Sequence, residues 1–172
     1  MSSNANYHQI KEFLNSIPQD LLREPIKRAD LACSDDILPF ELYRGTRQNI
    51  ERIGDQINKS FCFGIFDGCL VLMRRLIEML LILAFKEHGI EAEIRGSDGN
   101  FLQLSGIVSK ATNNTTLDLS RNAKEYLEIF REKGNLSAHN PFHNARRRDL
   151  ELVQHKFRHL VEELMYKARI LQ

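Results

Sequence analysis

A chain of 172 residues, 42% hydrophobic and 27% charged, is apolar enough to bury one core and too apolar for a disordered polypeptide. Its 24 basic and 23 acidic residues nearly cancel, so polyanion binding must come from a local patch and not from a bulk field. Cys33, Cys62 and Cys69 are odd in number and lack Cys-x-x-Cys spacing, which favours reduced thiols in a cytoplasmic setting over a disulfide scaffold or a zinc site. The polar stretch 1–8 holds no apolar signal-peptide core, so the Asn-x-Thr matches at Asn113 and Asn114 carry no weight.

Residues 1–40 read as an arm of short helices, 7–15 and 19–31, with Pro18 at a first helical position and Pro25 where a helix resists it. Asp35-Asp36-Ile37-Leu38-Pro39 marks a boundary, and residues 41–172 form the main domain. Ile50, Ile53 and Ile57 predict a helix from 41 to about 60. Gly64 and Gly68 open a long apolar helix that His88-Gly89 ends. A membrane span needs about 20 nearly uninterrupted apolar residues. Asp67, Arg74, Arg75 and Glu78 interrupt this one, so it is read as a core helix. A loop over 91–100, a short helix over 101–110 and a polar turn over 112–116 follow.

Asp118 or Ser120 is a candidate cap for the next helix, which presents Ala123, Tyr126, Leu127 and Phe130 on one face. Asn140-Pro141 stops that helix, because a residue before proline is steered away from helical angles. The last helix spans about 146–171, with Leu150, Val153, Phe157, Leu160, Val161, Leu164 and Ala168 as its stripe. No segment alternates in hydropathy for long, so the predicted fold is an all-α antiparallel bundle without a sheet.

The long helix carries a polar strip. At about 100° per residue Asp67, Arg74 and Glu78 fall within about 40° of one another, with Arg75 flanking them. Arg74 and Glu78 are four apart and can pair along the helix. Either the strip is an ion-pair network that fixes helix register, or it is the wall of a site. Removing Glu78 is expected to cost about 3–5 kcal/mol if the pair is buried and under about 1 if it is wet.

Arg131-Glu132-Lys133-Gly134-Asn135-Leu136-Ser137-Ala138-His139 is the most informative stretch. Asn135 and His139 lie one turn apart on the same side of a helix, and the small Gly134, Ser137 and Ala138 admit a close neighbour or a ligand. Together with Met73-Arg74-Arg75-Leu76-Ile77-Glu78 on a long helix, and a final helix after His139, this segment resembles the HEPN superfamily. The most similar branch is a set of bacterial domains with an Arg-x-x-Gly-Asn-x-x-Ala-His pattern. Arg131, Gly134, Asn135, Ala138 and His139 match it position by position, and the similarity covers roughly residues 41–171.

The resemblance implies an antiparallel helical bundle, often a homodimer, of the kind found in antiviral defence and toxin–antitoxin systems. Many such domains are ribonucleases needing neither metal nor cofactor, with an Arg-Asn-x-x-x-His motif. There the arginine stabilises the phosphate, the histidine assists attack by the ribose 2′-hydroxyl, and both chains of a dimer contribute. In this chain Gly134 stands where those enzymes carry arginine, which leaves Arg131, one turn earlier, as the candidate phosphate contact. The resemblance thus implies an RNA-binding domain with His139, Asn135 and Arg131 as catalytic candidates. Gly134→Arg, which restores the order of the ribonuclease motif, is expected to raise activity or affinity if the geometry admits it.

Arg146-Arg147-Arg148 opposes the dipole at its helix start and gains nothing for the helix; it is either a candidate RNA-phosphate contact or a cluster that is solvated or paired with Asp149 and Glu151. The His139-x-x-x-His143 and His155-x-x-x-His159 pairs have metal-ligand spacing. Pro141 breaks the first, and the second lies on a solvated face, so no metal is expected. A rival reading makes the chain a non-enzymatic interaction module that pairs with a partner protein and uses His139 and the polar strip in packing.

Overall fold

A helix that is apolar almost all round can only be satisfied by neighbours on every side, and the segment beginning at Phe66 is such a helix. The computed structural model describes residues 36–171, all within one compact unit that begins at residue 35. Among the described residues the α-helices are α1 (Phe40–Tyr43), α2 (Gln48–Cys62), α3 (Phe66–Glu87), α4 (Leu104–Asn113), α5 (Arg121–His139) and α6 (Arg147–Lys167). No strand forms among them, and the only β feature is an isolated bridge between Arg95 and Phe101. The expected all-α bundle is therefore what the described residues form. No helix among the described residues is long and apolar enough to cross a membrane.

Central α3 packs against α2, α4, α5 and α6, and buries residues from Cys69 to Phe85 around its circumference. Each neighbour contributes one stripe: Ile50, Ile53, Ile57 and Phe61 from α2; Ala123, Leu127, Phe130 and Gly134 from α5; Leu150, Val153, Phe157, Leu160, Val161 and Leu164 from α6. Phe130 and Phe157 close the α5–α6 contact with ring centroids 5.2 Å apart. Full burial of each such side chain stabilises the fold by about 1.5–3 kcal/mol, which is why helices of ordinary propensity hold here.

Two helix bounds differ from the sequence reading. The expected helix over 41–60 breaks at residues 44–47, where Gly45 takes a positive φ of 76°. That turn folds α1 back so that Tyr43 lies on Gly54 and its hydroxyl bonds Asp55 at 3.1 Å. The expected helix over 101–110 starts later, at Leu104, because the bridge to Arg95 and the Leu102 N–H to Ile94 carbonyl bond (2.9 Å) hold the preceding residues extended.

Helical segments expected within 1–35, and Cys33, lie outside the described residues. Just after them, Ile37 and Leu38 are fully buried. Asn58 clamps the Leu38 backbone through both its N–H (3.0 Å) and its carbonyl (2.8 Å), and Arg158 Nε donates to the Ile37 carbonyl at 2.9 Å.

Candidate functional site

The α3–α5 seam sets the geometry. Asp67 meets Ala145 and Arg74 meets Gly134, so the two helices run antiparallel, with the end of α5 beside the start of α3. The large apolar stripe of α5 stops at Phe130, and one turn later Gly134 presents no side chain. Arg74 fills the space: a Cβ at Gly134 would stand 2.6 Å from Arg74 Cβ and 2.7 Å from its Cδ. Arg74 lies across Gly134, and the expected Arg74–Glu78 pair does not form among the described residues. Arg74 Nε is instead sealed from solvent without a hydrogen-bond partner among the described residues. So is Ser137 Oγ, one turn beyond Gly134.

The polar strip is thus three separate residues in three situations. Asp67, in the first turn of α3 where the helix dipole favours a carboxylate, accepts the Ala145 N–H on both oxygens (3.3 and 3.2 Å). His143 Nε2 stands 3.9 Å from the same carboxylate. Asp67 therefore fastens the α5–α6 connection to α3. Arg74 crosses the seam. Glu78 is half-buried and has no ion-pair partner among the described residues.

Arg131, Asn135 and His139 follow one another at four-residue steps along α5, and Asn135 and His139 are exposed. Arg131 is engaged elsewhere: its Nε donates to Glu128 at 2.7 Å, and its terminal nitrogen lies 3.7 Å from Glu132. Pairing with Glu128 turns the guanidinium towards the preceding turn, away from His139. The α5 helix ends at His139 as Asn140-Pro141 requires, and the Asn140 side chain then accepts the Phe142 N–H at 2.9 Å.

Between Glu132 and Asp149 the chain holds Lys133, His139, His143, Arg146, Arg147 and Arg148 and no acidic residue. Arg147 is partly committed, stacked 4.5 Å over the Phe61 ring and 3.8 Å from Glu151. Arg146 and Arg148 are exposed and form no ion pair among the described residues. The Arg146 N–H donates to Asp149 at 2.9 Å, which caps α6 without using the arginine's charge. Phe142 is 93% exposed on this connection, and Phe63, Ile65 and Leu136 are exposed at the same end of the bundle. Sequence reasoning missed Phe142; the Pro141 break was the available signal that the residue after it would leave the core.

The other histidine pair lies apart from this end. His155 and His159 are exposed on α6, line a cleft of ≈ 450 Å³ with Pro39, Glu41, Leu42, Arg158 and Glu162, and His159 meets the Tyr126 ring edge-on at 5.9 Å. No group of three or more His, Cys, Asp or Glu side chains among the described residues is placed to hold a metal ion.

Comparison with known proteins finds no matching family model, no matching curated protein and no matching solved structure.

Proposed function

We propose that the chain is a HEPN-like RNA-binding domain of a defence or toxin–antitoxin system, and that the end of α5 with the 140–148 connection is its RNA surface. The observation that carries this reading is a run of sequence whose Asn135, His139, Arg146 and Arg148 are all exposed. Asn135 and His139 lie in a segment with four fixed cations and no carboxylate, in a molecule whose net charge is only +1. Phosphates are drawn to such a local patch even without a bulk field. Phe142, projecting from the same connection, offers a face on which a splayed base can stack, which favours single-stranded over duplex RNA.

Cleavage at this site would use His139 as general acid or base without a metal, the 2′-hydroxyl attacking the adjacent phosphorus and the 5′-oxygen leaving. Anisotropy of a labelled single-stranded RNA, measured across salt concentrations, tests the binding. Arg146→Gln with Arg148→Gln should weaken binding of every sequence and lower the salt slope by about 2, about 1 for each phosphate that is no longer neutralised. Wild-type protein that binds no more tightly than this double variant contradicts the reading. His139→Ala should remove any cleavage and leave binding within about threefold, and cleavage by the wild type should be indifferent to chelators.

The exposed Phe63, Ile65 and Leu136 favour a second reading of the same end, a contact with another copy of the chain. The HEPN resemblance itself implies a homodimer, so sedimentation equilibrium of wild type against Leu136→Asp tests the contact, and RNA binding by the same two proteins separates the readings. A dimer that the variant abolishes, with no RNA bound by either protein, leaves the interaction module as the better account.

A further inference from the structure

We infer that Arg74 of α3, and not Arg131 of α5, is the cation that holds a phosphate at this site. The inference deepens the RNA-binding reading and rests on it for the identity of the ligand. Three observations converge on Arg74. First, it reaches α5 from the neighbouring helix, its stem lying on Gly134, the residue directly before Asn135. No other residue type at position 134 would leave room for that stem. Second, its guanidinium is uncommitted: Nε is sealed without a partner, and neither Glu78 nor any other described carboxylate pairs with it. A half-buried guanidinium is costly to leave unpaired, so the site is poised for an anion. Third, Ser137 Oγ, one turn along the same face of α5 from Gly134, is a second sealed polar atom without a partner.

Arg131 lacks these properties. It already has Glu128 at 2.7 Å and Glu132 at 3.7 Å, and an arginine neutralised by two carboxylates adds little attraction for a phosphate. Glycine at 134 and arginine at 74 therefore act as one arrangement, in which the cation reaches Gly134 from α3 because α5 supplies none there.

Arg74→Met tests the assignment, because it keeps an unbranched stem over Gly134 and removes only the charge; circular dichroism and the melting temperature confirm that the variant is folded. Binding of labelled single-stranded RNA should weaken about tenfold in Arg74→Met, as for loss of one charge-assisted hydrogen bond, and change less than about twofold in Arg131→Met. The reverse ranking, or Arg74→Met binding like wild type, overturns the assignment. A second probe, inorganic phosphate followed by thermal shift, does not depend on RNA: phosphate should raise the melting temperature of wild type and Arg131→Met more than that of Arg74→Met. If wild type binds no RNA but this phosphate difference appears, the RNA reading fails while the Arg74 anion site stands. Equal phosphate shifts in all three proteins overturn the site itself.

Discussion

Adding one methyl group at position 134 is the smallest change that strains the α3–α5 seam. Arg74 Cβ, which the new atom would meet, sits at the root of its side chain and cannot swing aside, so α3 and α5 must move apart. Gly134→Ala should therefore destabilise the fold by about 1–3 kcal/mol in urea unfolding, as overpacking does; an unchanged midpoint contradicts the seam geometry. Gly134→Arg, expected from the motif to restore function, meets the same obstacle with more atoms and should lose stability without gaining RNA affinity. Glu78→Ala reverses in the other direction. With no pair to break, its cost should stay under about 1 kcal/mol, and a loss of about 3 kcal/mol or more in the same assay contradicts the observed separation of Arg74 from Glu78.

Cys69 is the other residue whose surroundings determine its chemistry: burial pushes its thiol up to about 12, so it stays protonated at neutral pH. Iodoacetamide mapping of the native protein should leave Cys69 unmodified until denaturant is added; rapid native labelling contradicts its place in the core.

At the scale of elements, helices with a strong repeat were legible because packing against α3 and local periodicity agree in them. The α5 helix is the clearest example, its end readable from Asn140-Pro141 and its start narrowed to Asp118 or Ser120. The structure selects Ser120, whose Oγ accepts the Ala123 N–H at 3.1 Å and donates to Glu163 at 2.6 Å, while Asp118 takes a positive φ of 43° in the turn before it. Ser120→Ala should cost about 1 kcal/mol of unfolding free energy, and a neutral result would mean that the cap contributes nothing measurable. The start of α4 was not legible, because a contact between residues 95 and 101 decides it and no local pattern announces such a contact. The site divides in the same way. Asn135 and His139 one turn apart follow from helical spacing alone, whereas the crossing of Arg74 onto Gly134 depends on the register of α3 against α5.

For the whole molecule, the balance of charge conceals an uneven distribution. One end of the bundle gathers the close of α5, the start of α6 and the 63–65 connection, and on it lie His139, Arg146, Arg148 and the exposed Phe142. Chemical-shift mapping of the isotope-labelled protein with a short single-stranded RNA locates the RNA surface residue by residue. The largest shifts should fall on the amides of residues 134–148 and on Arg74 Nε, with the His155–Glu162 face unmoved. No shifts at saturating RNA, or shifts confined to the cleft between residues 39–42 and α6, would contradict that placement.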